Sequence, residues 1–130
     1  MKDTSTLTGN GIRTGAQYIS GLQDDREVWT QGKRIKDVTS EPGMSRGVSS
    51  LAGFLDKQHD KKYQDKITYV DEDGIRCPLS FKTPKSKQDI LDRGKAYYEW
   101  ATWSHGMFGR TPDYKNASLM SFSAARSFLD

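Results

Sequence analysis

Met44, Val48, Leu51, Ala52 and Leu55 recur at i, i+4, i+7, i+8 and i+11, the pattern of one helix face. The spacing predicts a helix from Met44 to about Gln58, entered from a turn at Thr39–Gly43 whose Pro42 suits the approach to a helix start. Gly47 and Gly53 weaken that helix by roughly 1 kcal/mol each relative to alanine. A second periodic stretch begins at Ser86, an N-cap with Asp89 three residues on. Its inner face reads Ile90, Leu91, Gly94, Tyr97, Tyr98 and Ala101, with Trp100 and Trp103 widening the apolar arc, and Gly106 ends it.

Shorter elements fill the rest. Thr14 caps a helix over Gly15–Gln23 that carries Tyr18, Ile19 and Leu22 on one face. Val28-Trp29-Thr30 and Arg34-Ile35-Lys36 flank a Gln31-Gly32 turn, a hairpin in which Gly32 supplies positive φ. Thr68-Tyr69-Val70 and Ile75-Arg76-Cys77 flank Asp71–Gly74 in a second hairpin, with Leu79 and Phe81 continuing the strand past an edge-type Pro78. Thr111 and Pro112 open a last helix, with Met120, Ala124 and Phe128 on one face and Leu119, Phe122 and Leu129 spread around it. The fold class is therefore mainly α with two small β-hairpins: residues 1–12 a flexible leader, residues 13–130 one domain. So broad an apolar surface on the last helix calls for a covering element, so the sequence reads as a piece of something larger.

Composition excludes several functions. The net charge is only +3 and both signs are interspersed, without the basic block that a nucleic-acid surface needs. No run reaches membrane-spanning length, and Met1–Asn10 lacks the apolar core of a secretory signal, which points to the cytoplasm. Cys77 is the sole cysteine and only His59 and His105 join it, so neither a disulfide nor an intrinsic metal site is expected. Both histidines fall at helix ends, where a capping role suits them. Asp71–Asp73 reads as a solvated turn, and Tyr97, Tyr98, Trp100, Trp103 and Phe108 as core, with an aromatic substrate pocket the minority reading.

The candidate site is Gly109-Arg110-Thr111-Pro112-Asp113-Tyr114. With Thr111 as N-cap, Arg110 lies just before the cap and Tyr114 is the third helical residue. A helix start offers free backbone N–H groups and a positive dipole end, which suit an anion. A guanidinium and a phenol hydroxyl placed there can both donate to a phenolate or carboxylate oxygen. The other reading is an exposed Arg110–Asp113 pair, the commoner fate of such residues.

Taken together, Arg13-Thr14-Gly15-Ala16-Gln17-Tyr18, Arg26-Glu27-Val28-Trp29, Gly32–Thr39, Gln58-His59-Asp60, Thr68-Tyr69-Val70 and Gly109–Tyr114 resemble, in order, the oxygenase component of the 4-hydroxyphenylacetate 3-monooxygenase family. The resemblance covers nearly everything from Arg13 onward, and corresponds to that family's N-terminal domain alone. It implies the N-terminal helical domain of an acyl-CoA-dehydrogenase-like fold. It further implies an enzyme that takes FAD as FADH2 from a separate flavin reductase and hydroxylates a phenol ortho to its hydroxyl with dioxygen. The full-length enzyme is then a homo-oligomer, a tetramer. The 130-residue piece alone is expected neither to bind FAD nor to be active. The family's substrate-site arginine and tyrosine fall on Arg110 and Tyr114, which then act on the substrate's phenolic oxygen. The family's substrate-site histidine lies beyond Asp130, and neither His59 nor His105 replaces it. A related dehydratase branch places iron–sulfur cysteines in this motif, where this chain has none. A rival from another class is a free-standing domain that binds a protein partner through its last helix.

Overall fold

The computed structural model describes residues 9–107 and 112–129, with residues 112–114 described by backbone alone. The elements are β1 (Gly9–Asn10), α1 (Gly15–Ser20), β2 (Val28–Thr30), β3 (Lys33–Ile35), α2 (Ser45–Lys57), α3 (Gln64–Ile67), β4 (Thr68–Val70), β5 (Ile75–Pro78), α4 (Lys87–Trp103) and α5 (Pro112–Ala124). Tight 3-10 turns at Leu79–Phe81 and Arg126–Phe128 follow β5 and α5. The fold is mainly α, as expected, with two small sheets.

Local chemistry starts the first helix. Thr14 Oγ1 accepts from the Gln17 N–H at 3.1 Å, and Gln17 Oε1 accepts from the Thr14 N–H at 2.8 Å. This reciprocal box fixes where α1 begins. It ends at Ser20, short of the expected Gln23, because the Leu22 and Gln23 N–H groups turn back onto Ile19 O and Ser20 O. The β2–β3 hairpin forms as expected: Gln31 and Gly32 both take positive φ, 48° and 74°, the pair of angles a two-residue hairpin turn needs.

The second sheet corrects two expectations. β4 and β5 pair antiparallel, Thr68 opposite Pro78 and Val70 opposite Arg76, but β1 adds a third, parallel strand, Gly9 opposite Ile75 and Asn10 opposite Arg76. Gly9 and Asn10, expected in the leader, thus belong to a sheet. A Cβ on residue 11 would lie 3.1 Å from Arg76 O, so Gly11 lets the chain lie against β5, and its N–H donates to Arg76 O at 2.9 Å. Nor do Leu79 and Phe81 extend the strand; they tighten into a 3-10 turn. Pro78 sits in the middle strand yet costs no ladder bond, because β1 pairs only as far as Arg76.

Ile67, Leu79, Ala96 and Trp100 form the core, with Phe54, Tyr63, Tyr69 and Tyr97 packed against it. Here α4 departs from its expected face. Ala96 and Trp100 are buried, whereas Ile90, Leu91 and Tyr98 are exposed at 62%, 51% and 73%. Polar anchors choose the buried face. Asp89 pairs with Lys82, and Arg93 donates to Tyr97 Oη at 2.7 Å and to Lys82 O at 3.4 Å. These bonds tie α4 to the segment after β5. Met120 of α5 is buried near Arg93, while Ala124 and Phe128, expected beside it, are exposed, Phe128 after α5 has given way to the 3-10 turn. Leu119, Phe122, Phe128 and Leu129 are all more than half exposed, the uncovered apolar surface the sequence implied. Among the described residues no helix is long and apolar enough to cross a membrane.

Candidate functional site

α5 starts at Pro112, where the sequence reading puts the first helical residue. Arg110 lies outside the described residues, as do Phe108, Thr111 and the side chain of Tyr114. The ground beside that segment is described. Asn116 of α5 lines a cavity of about 280 Å³ together with Ile12 and Arg13 from the loop after β1, Phe54 from α2 and Gln58 just after it, Pro78 and Phe81, and Trp100 from α4.

Each wall has a local cause. Gly15 donates its N–H to Asp56 Oδ1 at 2.7 Å, seating the Arg13–Gly15 turn on α2. At the end of α2, His59 brings its ring nitrogens to 3.3 Å from Asn10 Nδ2 and 3.4 Å from Arg13 O. This histidine therefore pins the N-terminal stretch rather than capping its own helix. Phe54 stacks tilted on Trp100, centroids 5.3 Å apart, and meets Trp103 edge-on at 4.4 Å. Lys57 Nζ lies 3.9 Å from the Tyr63 ring centroid and 4.2 Å from that of Trp103, a cation between two aromatic faces.

Two polar atoms stand out in this setting. Gln58 is 5% exposed and, among the described residues, its Oε1 has no hydrogen-bond partner; Trp100 is 2% exposed and its Nε1–H has none among them either. Buried polar groups are nearly always paired, so these two atoms are exceptions within the core. Neither atom is legible in the sequence: Trp100 stands among apolar residues, and nothing in the sequence turns Gln58, just past a helix end, inward.

Titrating groups elsewhere serve structure. The Lys82 ammonium, then the Ser86 hydroxyl and the Lys85 N–H, hold the Asp89 carboxyl well below the usual carboxylate range. Burial, and then the Asp71 carboxylate, pushes the Cys77 thiol up, which disfavours the nucleophilic thiolate. Among the described residues no cluster of histidine, cysteine and carboxylate side chains is arranged to hold a metal.

Residues 14–130 match the family described as 4-hydroxyphenylacetate 3-hydroxylase N terminal. The chain belongs to that family. It is 40% identical over 118 residues to the 4-hydroxyphenylacetate 3-monooxygenase oxygenase component of Thermus thermophilus, a match covering 90% of this chain and 24% of that protein. It is 34% identical over 119 residues to the pyoverdin chromophore biosynthetic protein PvcC of Pseudomonas aeruginosa, covering 92% of this chain and 24% of that one. A crystal structure of the oxygenase component of 4-hydroxyphenylacetate 3-monooxygenase, complexed with FAD and 4-hydroxyphenylacetate, superposes with a TM-score of 0.83 at 40% identity over 89% of this chain and 24% of that chain. The chain thus spans about a quarter of the length of the curated relatives it matches.

The family membership carries the fold: this is the N-terminal helical domain of an acyl-CoA-dehydrogenase-like architecture. It also explains why several matched motifs are structural here. Arg13-Thr14-Gly15 is a cap and a close helix approach, and Gln58-His59 an anchor with an inward amide.

Proposed function

We propose that this chain is the N-terminal part of an FADH2-dependent monooxygenase that hydroxylates a phenol, such as 4-hydroxyphenylacetate, ortho to its hydroxyl using dioxygen. The observation that carries the reading is the match over nearly the whole chain to an oxygenase structure holding FAD and 4-hydroxyphenylacetate. In this reading Arg110 and Tyr114 donate to the phenolic oxygen and stabilise the negative charge that makes the ring reactive. A separate flavin reductase supplies FADH2 in the cytoplasm, and the working enzyme is a homo-oligomer, a tetramer. The exposed apolar face of α5 gives further support, since a larger enzyme supplies elements to cover it.

The test uses the complete enzyme, given FADH2 by a reductase, dioxygen and 4-hydroxyphenylacetate. The expected product is the ortho-dihydroxy compound. With Arg110→Ala, flavin oxidation continues while product falls away. Product formation still fully coupled to flavin oxidation in that variant overturns the role of Arg110, and absence of product from every phenol tried overturns the reading itself.

A further inference from the structure

Among the described side chains of α5, Met120 alone is buried. The helix rests on the Leu79–Phe81 turn and leaves Leu119 and Phe122 in solvent. Apolar burial therefore fixes its tilt only weakly, and a polar contact can decide it. Arg93 of α4 supplies that contact. Its guanidinium donates to Tyr97 Oη at 2.7 Å, to Lys82 O at 3.4 Å and, in a weak bond, to Met120 Sδ at 3.9 Å. The three acceptors are neutral and stand on α4, on the segment after the 3-10 turn and on α5. A guanidinium carries its donors in a rigid fork and can hold three such partners at once, which a lysine ammonium on its flexible stem does not. Tyr97 packs against the core and so anchors the fork.

We propose that Arg93 is a positioning residue: by clamping Met120 to α4 and to the Lys82 carbonyl, it sets the tilt of α5 and so the place of the Tyr114 backbone in the first turn of that helix. From Pro112 to Met120 the helix rises about 12 Å, so a tilt of about 5° about Met120 moves its first turn by about 1 Å. A misplacement of about 1 Å in an oriented reacting group costs on the order of 100-fold in rate. The consequence for catalysis rests on the oxygenase reading above, in which Tyr114 donates to the phenolic oxygen; the clamp itself does not. Arg93 acts through α5 rather than on the substrate. Its loss leaves a bound phenolate less well stabilised, which raises the pKa of the bound phenol.

The experiment compares the complete enzyme with its Arg93→Gln and Arg93→Lys variants. Amide exchange read by mass spectrometry tests the clamp without turnover. In Arg93→Gln, α5 is expected to exchange at least about 5-fold faster, the worth of one hydrogen bond, and α2 at the parent rate. Turnover with FADH2, dioxygen and 4-hydroxyphenylacetate tests the positioning. Product per flavin oxidised is expected to fall about 10-fold or more, with the acid limb of its pH profile moved up by as much as about one unit. Arg93→Lys is expected to recover less than about half of the loss. Lys57→Gln on α2, destabilised for another reason, is expected to keep the parent pH profile. Tyr97→Phe removes one of the three bonds and keeps the arginine, so it is expected to give the same changes at smaller size and decides if Arg93→Gln fails to fold. Unchanged α5 exchange, parent-like coupling with a parent-like pH profile, or full rescue by Arg93→Lys overturns the proposal while product from the parent keeps the oxygenase reading. No product from the parent overturns that reading and the catalytic role of the clamp together, and the exchange result still decides whether the clamp holds α5.

Discussion

Gly15 of α1 donates its backbone N–H to the Asp56 carboxylate of α2 at 2.7 Å, and the space above its Cα is filled by α2 itself. A Cβ there would lie 2.6 Å from both Ala52 O and Asp56 Oδ2, closer than side-chain carbons approach. The glycine in the Arg13-Thr14-Gly15 motif is thus a packing requirement.

Gly15→Ala is expected to destabilise the chain by about 2 kcal/mol or more, since backbone on the facing helix must shift. Gly47→Ala, on the open side of α2 where a Cβ meets nothing within 4 Å, is expected to stabilise by about 0.5–1 kcal/mol. Urea midpoints of the two variants therefore move in opposite directions. A Gly15→Ala midpoint matching the parent would refute the close-approach account.

The Asp89–Lys82 pair sets an acid limit. Because the folded-state pKa of Asp89 is depressed, its stabilisation is fully present above the ordinary carboxylate value of 3.8 and is lost as pH falls below that toward the folded value. Asp89→Asn is expected to lower Tm near pH 7 and to flatten its fall below about pH 4. Parallel Tm–pH curves for parent and variant would show that another group sets the limit.

Lys57 holds α2 to two aromatic rings. Lys57→Gln is expected to cost about 0.5–1 kcal/mol, and a double-mutant cycle with Trp103→Leu to return a coupling of similar size. Strict additivity would mean that the cation only covers the rings.

The proposed phenol contact makes a kinetic prediction. In the complete enzyme Tyr114→Phe is expected to lower kcat/KM for hydroxylation by about 10- to 100-fold, the worth of one hydrogen bond to a charged oxygen. Flavin oxidation is expected to continue. A change in KM alone would assign Tyr114 to binding without charge stabilisation.

The sequence was most legible where local chemistry decides. Thr14, Ser86, the Gln31-Gly32 turn and the face of α2 all follow from caps, φ preferences and 3.6-residue spacing. The face of α4 was not, because counting apolar residues picks Ile90, Leu91 and Tyr98, while the ties made by Asp89 and Arg93 turn those residues outward. β1 was invisible for a different reason: two residues with no periodicity find a partner strand far along the chain. At the site, the resemblance singled out Arg110 and Tyr114, whereas the polar atoms of Gln58 and Trp100 became visible only once burial was known.

That pairing of β1 with β5 also fixes an order of events. During synthesis Gly9 and Asn10 are made before Ile75 and Arg76, so β1 cannot pair until the later residues exist. The loop closed by this contact is long, and its entropy is recovered only when β5 arrives. Hydrogen exchange at the Gly11 amide, bonded to Arg76 O, reports that closing step.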